Sequence, residues 1–319
     1  VLLKLALVGA GGLCALGFAI SVGMFNERLR QMAESELTAS LGRDVRIGQM
    51  DGNPLFWLEL RQVVIESPVE RSETGESNWT AGPDTIDSIR LVYQPHRVLF
   101  GSVDFDTLRV VSPRVRFAGH SKSEGEGAGE ESSFSITVDH FEVEDGKARI
   151  DTESAGVDVR ELDVVAGFRA GTSGFAVSLR KVRTIVFDPP LQVSNLSGVG
   201  LLEDGRVELR DIRLQTALSG FRVNGIIDDL YLPVFDLSVT ADSVSLEEMQ
   251  ILIPGTYPEG KASAAGTLIG PISELRANFD IRFDKMAAAV SGVFDFTAER
   301  VRYTFDLRAT DIDLMEILP

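Results

Sequence analysis

The chain has 319 residues, with 48 acidic against 31 basic side chains and a formal net charge of −17 at pH 7. Negative charge on that scale speaks against a nucleic-acid partner, because nothing here could replace the counterions of a phosphate backbone, and against a strongly polybasic role at a membrane surface. The single cysteine, Cys14, leaves the rest of the chain without a disulfide, a thiolate nucleophile or a cysteine-based metal site.

The first predicted element is the uncharged apolar run Leu5 to Phe25. As a helix rising ~1.5 Å per residue it would cross a ~30 Å hydrocarbon core. It is too long for the ~7–15-residue apolar region of a cleavable signal. Residues 1–25 therefore read as a permanent transmembrane anchor, with Leu5, Phe18, Ile20 and Phe25 among its lipid-facing side chains. Gly9, Gly11 and Gly12 mimic a phosphate-binding loop only superficially, and small residues within an anchor allow close helix packing instead. Residues 26–42 follow as an amphipathic helix. Leu29, Met32, Ala33, Leu37 and Leu41 fall at helical spacing, Gly42 supplies a stop, and the acidic polar face favours a plug for the adjoining domain over a bilayer-lying helix.

Beyond Gly42 the hydrophobic period changes from 3.6 to 2, the signature of half-buried strands. Residues 43–117 form an expected N-terminal β domain, with Val45 and Ile47, then Phe56, Leu58 and Leu60, then Val63 and Ile65 after a phase slip, then Ile89, Leu91 and Tyr93. Phe105, Leu108, Val110, Val115 and Phe117 continue the pattern, and Pro113 interrupts it. Residues 118–133 contain glycine, serine and acid but no aromatic or large aliphatic residue, so they read as a solvated loop. Residues 134–319 resume the strands, punctuated by turn signals such as Asp145-Gly146 and Asp204-Gly205, at the spacing of an antiparallel meander. Phe235-Asp236-Leu237 leading to Pro254 is echoed by Phe305-Asp306-Leu307 leading to Pro319, which predicts a repeating β unit that continues in a longer protein.

The order of several segments resembles a known family. The anchor, LTASLGRDVRIG ending at Gly48, VVIESP ending at Pro68, the stretch from Ile89 to Phe117, and GTLIGPISELRA starting at Gly266 are together similar to the amino-terminal part of the AsmA-like superfamily, and within it most of all to the TamB family. The carboxy-terminal domain that best marks TamB is not in this sequence, so another AsmA-like assignment stays open. The resemblance implies a mainly β fold. One transmembrane helix would be followed by an elongated antiparallel sheet, curled into an apolar groove like a taco, with a few short helices. It also implies a single-pass protein of the Gram-negative inner membrane with its bulk in the periplasm. Phospholipid acyl chains would be its cargo, and a TamA-like, Omp85-type outer-membrane protein would be its partner through a part not present here.

Alternation alone leaves two architectures open: two sheets covering each other, or one sheet bent round something apolar. In the groove reading the lining is Phe105, Phe134, Ile136, Phe221, Phe235, Phe279, Phe296, Tyr303 and Phe305; in the sandwich reading the same residues are core. The function that follows from the groove is hydrophobic shielding of phospholipid between the inner and outer membranes, in support of outer-membrane protein and autotransporter assembly. The alternatives are a scaffold that binds client chains by β-augmentation without carrying lipid, and an unrelated envelope hydrolase or binding module. No catalytic, metal or cofactor residues are assigned and no enzyme is expected. His96, His120 and His140 share no ligand spacing, and Asp139, Glu142, Glu144 and Asp145 around His140 suit the wet face of a strand better than a cation site.

Overall fold

The computed structural model describes residues 26–53, 56–66, 82–94, 102–118, 135–151, 156–171, 174–187, 190–229, 232–252, 260–283, 286–297 and 302–310. The expected anchor, with Leu5, Phe18, Ile20 and Phe25, lies outside them. Among the described residues no helix is long and apolar enough to cross a membrane. The protein is mainly β and largely antiparallel, with few helices, and it divides into two compact units, Val1–Thr172 and Ser173–Pro319.

The first unit opens with helix α1 (Asn26–Leu41), which ends at Gly42 in the left-handed conformation (φ 63°), as the sequence leads one to expect. Strands β1 (Val45–Asn53), β2 (Trp57–Ile65), β3 (Asp84–Tyr93) and β4 (Ser102–Val111) pair antiparallel in succession. The phase slip seen in the sequence of β2 is shared by its neighbours. Buried positions fall at Val45, Ile47 and Met50 in β1, at Leu58, Leu60, Val63 and Ile65 in β2, and at Ile86, Ile89 and Leu91 in β3. Each strand therefore spends two residues between buried positions at the same level, and pairing on either side keeps one register. Gln62 adopts φ 53° at that level, and the close approach of its side chain to Gly48 leaves no room for a Cβ there.

The antiparallel expectation needs one correction. β5 (Arg114–Ala118) and β4 both lie parallel to the long strand β6 (Ser135–Asp151), from Ser102↔Ser135 to Ala118↔Asp151. Ser112, at φ 48°, and Pro113 break what is otherwise one line of pairing, as the proline predicts. A parallel return needs a crossover of a dozen residues or more, and the Gly/Ser/acid loop supplies it. That stretch lies between β5 and β6, and the division into compact units falls at Thr172/Ser173. β7 (Gly156–Gly171) completes the unit, antiparallel to β6.

Leu29 and Leu37 of α1 belong to the same buried cluster as Val63, Ile86, Phe105, Val110, Ile136 and Val138, so the helix is a plug over the apolar face of this sheet. It also caps the free edge of β1. The Val45 N–H donates to Thr38 Oγ1 (3.0 Å), the Ile47 N–H donates to Glu34 Oε1 (2.7 Å), and Arg30 Nη1 donates to the Ile47 carbonyl (2.9 Å). Edge groups that would otherwise template another strand are thereby satisfied. Asp84 is a second clasp. It accepts from Arg43 Nη2 (2.7 Å) and from the Arg116 N–H (2.9 Å), while Arg43 Nε holds the Glu66 carbonyl (2.8 Å).

The second unit is an antiparallel meander of β8 (Gly174–Phe187), β9 (Leu191–Glu203), β10 (Arg206–Thr216), β11 (Gly220–Asp228), β12 (Val234–Ser245), β13 (Lys261–Pro271), β14 (Leu275–Phe283), β15 (Met286–Asp295) and β16 (Arg302–Thr310). Consecutive strands pair throughout. A seven-residue helix, α2 (Leu246–Leu252), follows β12.

Candidate functional site: the apolar face of the second unit

Because side chains alternate between faces, cross-strand partners lie on the same side of a sheet, and register decides whether the apolar residues of successive strands meet. In the second unit they do. Val177, Gly200, Leu209 and Gly225 are partners in turn across β8 to β11, and the row continues through Leu237, Leu268, Ala277 and Gly292 to Phe305 on β16. A parallel row runs from Ile212 through Val223, Val239, Gly266, Phe279 and Val290 to Leu307. The opposite face carries Arg276, Asn278, Asp280 and Arg282 on β14, all exposed.

Two devices keep these rows in phase. In β10 the register slips between Leu209 and Ile212, with Asp211 at φ 50° and its N–H donating to Asn224 Oδ1 (2.6 Å). This bulge brings Leu209, Ile212 and Leu214 to one face although strict alternation would separate them. Gly225, at φ 140°, sits where a Cβ would lie 2.0 Å from the Asp236 carbonyl, so only glycine lets β11 and β12 close at that point.

The rows differ in cover along the sheet. Leu237, Ala241, Val244, Leu275 and Ala277 are buried, most of the other apolar positions are half-buried, and every residue of β16 is exposed. At that end Phe294 stacks on Phe296 (ring centroids 6.1 Å), Tyr303 lies 6.3 Å from Phe294, and Phe305 stacks on Tyr303 at 6.0 Å, making a ladder of aromatic faces open to solvent.

Midway along the face, the apolar side chains Leu191, Leu196, Ile212, Leu214, Phe221 and Val223 line a trough of about 390 Å³ with Val239 and Met249. Its polar lining residues are Thr216, Ser219 and Glu248, the last being the third residue of α2 and only 6% exposed. Ser245 caps that helix by accepting from the Glu248 N–H (3.3 Å). The Glu248 carboxylate is in turn held through Oε2, which accepts from Thr216 Oγ1 (2.6 Å) and from Ser219 Oγ. Ser219 Oγ also accepts from the Ser245 N–H (3.0 Å), tying the turn between β10 and β11 to the start of α2.

The nine expected lining residues separate into groups. Phe105 and Ile136 are 1% and 2% exposed within the closed core of the first unit, where Phe105 meets Tyr93 edge-on at 6.2 Å. Both belong to the buried core cluster of that unit. Phe221, Phe235 and Phe279 lie half-buried on the apolar face of the second unit; Phe296, Tyr303 and Phe305 form its exposed end; and Phe134 lies outside the described residues. Glu248 was not singled out in the sequence, although Ser245-x-x-Glu248 ahead of an apolar run is a capping-box pattern that marks it. Two of the acids around His140 are engaged by an arginine: Arg109 pairs with Glu142 (3.6 Å) and with Glu144. Among the described residues no group of three or more potential metal ligands comes together.

Compared with protein-family models, with curated proteins and with solved structures, the chain matches none.

Proposed function

We propose that the apolar face of the second unit shields the acyl chains of phospholipid in transit between the inner and outer membranes of a Gram-negative envelope. In this reading the protein is of the TamB or AsmA type, held by residues 1–25 in the inner membrane with its β-sheet in the periplasm, and it supports the assembly of outer-membrane proteins and autotransporters. A TamA-like, Omp85-type protein is the expected partner on the far side. The supporting observation is the pair of apolar rows in register across β8–β16, half-covered along their length and open at Tyr303, Phe305 and Leu307. Each methylene that leaves water gains ~0.8 kcal/mol, so a continuous apolar track spares a moving chain from losing that gain at every step. The mechanism needs no bond-making. It needs a face whose register is unbroken, which is what the bulge at Asp211 and the close approach at Gly225 maintain.

The test is photocrosslinking in cells from a probe at Phe305, with a probe at Arg302 on the opposite face of the same strand as the control. Lipid adducts at Phe305 and none at Arg302 are expected. Crosslinks from Phe305 only to other residues of this chain would mean a closed core there and would overturn the conduit. A second reading, a scaffold that pairs client strands, draws on the exposure of all nine residues of β16. It predicts protein adducts to client chains from backbone-proximal probes on that strand.

A further inference from the structure

A strand at the edge of a sheet offers a row of unpaired N–H and C=O groups, and proteins that stay apart blunt such an edge with a bulge, a proline, an inward-pointing charge or a cover. Strand β1 has a cover, because Thr38, Glu34 and Arg30 of α1 satisfy its edge. Strand β16 has none of these. It pairs with β15 in one unbroken register from Arg302 to Thr310, contains no proline, and keeps Arg302, Asp306 and Arg308 on the face opposite Tyr303, Phe305 and Leu307. Among the described residues no strand pairs with its other side, and all nine of its residues are exposed.

Charge and pattern say what this edge fits. Arg302 has a residue of opposite sign across the ladder in Asp295, but Asp306 and Arg308 stand opposite Ser291 and Ala289, which carry no charge. The strand is its own complement. Laid antiparallel against a second copy with Leu307 opposite Leu307 on the two-fold axis, Asp306 of each copy faces Arg308 of the other, Thr304 faces Thr310 and Phe305 faces Ala309. Two opposite-charge pairs form, and each apolar residue from Phe305 to Ala309 meets another. Neighbouring registers fail. With the axis on Asp306 two aspartates meet, and with the axis on Phe305 Arg302 faces Arg308 twice, both unfavourable. With the axis between residues, apolar side chains face polar ones. With the axis on Thr304, Arg302 faces Asp306 but only Arg302 to Asp306 can pair.

We propose that two copies of this chain pair through β16, antiparallel and in register about Leu307, as an isologous dimer. The apolar rows of the second unit then run on across the junction, through Leu307 and through Phe305 beside Ala309, into the sheet of the other copy. The pairing stands independently of the acyl-chain reading, since it draws on the edge and its charges and not on the cargo of the face.

The experiment asks whether two copies touch at Leu307. Two differently tagged versions of the full chain, each carrying Cys14→Ser, are expressed together, treated briefly with a mild oxidant, thiol-blocked and separated without reductant. Directly opposed residues of an antiparallel pair have Cα atoms about 4.5–5.5 Å apart, within reach of a disulfide. Leu307→Cys should therefore link the two tags, with a yield at least fivefold above that of Phe305→Cys, whose counterpart lies about 14 Å away along the pair. Thr304→Cys in one copy and Thr310→Cys in the other should link as Leu307→Cys does, whereas neither should link to its own kind. Asp306→Arg should cut the Leu307→Cys yield at least fivefold, and adding Arg308→Asp should restore it to within twofold, because the double exchange rebuilds both charge pairs. A Leu307→Cys chain that stays unlinked would overturn the dimer, as would equal linking at Phe305→Cys or a yield indifferent to Asp306→Arg. Occupation of the edge by another strand of the same chain, or by a client chain, gives the unlinked result. All of these positions are exposed, and the comparison of Leu307→Cys with Phe305→Cys needs no charge variant, so a defect in Asp306→Arg leaves the dimer testable. Lipid adducts at Phe305 are read separately: their absence leaves a linked dimer standing, and their presence does not rescue an unlinked one.

Discussion

The two units are built from the same alternating strands, yet one hides its apolar face and the other leaves much of it accessible. The large side chains buried most completely, Phe105, Ile47, Ile65, Ile86, Val63, Val110 and Val138, all belong to the first unit. Among the described residues, the large hydrophobic side chains left exposed belong to the second unit, apart from Met32 and Phe56. The difference lies in the helices. α1 runs for 16 residues and inserts Leu29 and Leu37 into the cluster, whereas α2 runs for only seven and contributes Glu248 and Met249 to the trough. A sheet with one apolar face is ordinarily covered by something; the proposed cover in the second unit is an acyl chain.

The comparison can be broken most directly with one residue type in two places. Phe105→Ala should cost about 3–5 kcal/mol, because removing a fully buried ring leaves a cavity in a packed core. Phe305→Ala, at a position 54% exposed, should change stability by less than about 0.5 kcal/mol. Both tryptophans, Trp57 and Trp79, lie in the first unit, so urea unfolding followed by tryptophan fluorescence reads the first variant directly; circular dichroism at a strand wavelength reads the second. Equal losses would mean that the aromatic ladder on β16 is as closed as the core beneath α1.

A gentler test uses pH. Burial pushes the Tyr93 hydroxyl up to about 12 from an ordinary value of 10.0. The unfolded chain therefore releases this proton first, and the folded state loses stability as pH rises from about 10 to about 12, with no contribution from this group below pH 10. The loss should reach about 2–3 kcal/mol at the alkaline limit. Tyr93→Phe should remove that component from the unfolding midpoints measured between pH 9 and 12. A midpoint profile unchanged by the substitution would show that the ring is less enclosed than Phe105 beside it.

The smallest expected effect concerns the edge. Thr38→Ala removes the acceptor for the Val45 N–H and should cost about 1 kcal/mol. Hydrogen exchange at Val45 should quicken while the amides of β12 to β14 keep their rates. Unchanged exchange at Val45 would mean that α1 covers the edge sterically and that its side-chain hydrogen bonds are incidental.

The sequence was informative wherever the physics is local. Period-2 alternation marked most of the strands, the slip after Leu60 marked a level where β2 and its two neighbours each spend two residues between buried positions, and Gly42 placed the end of α1. The amphipathic stripe of residues 26–42 and its acidic polar face pointed to a plug, and Leu29 and Leu37 serve as one. The same alternation could not say which apolar residues would be covered. Phe105 and Phe305 look alike in sequence, each an aromatic residue beside aspartate on a strand, yet one is 1% exposed and the other 54%. Nor could it show Glu248 as part of a trough, because the hydroxyls that hold it come from Thr216 and Ser219, about 30 residues earlier in the chain.

What the sequence determined by itself, then, is the succession of strands and the two-sided character of each, since one residue's neighbours along the chain decide which way it faces. What only the tertiary structure decided is register and cover. Register depends on bulges such as that at Asp211 and on close approaches such as that at Gly225, which bring residues of different strands opposite one another. Cover depends on where α1 and α2 come to rest. Leu29 and Leu37 join the buried cluster of the first unit, while α2 is only seven residues long and its Glu248 is held by the turn after β10. The parallel pairing of β4 and β5 with β6 belongs to the same class, because it rests on where a composition-biased loop returns the chain, and composition fixes a loop's solvation without fixing its path.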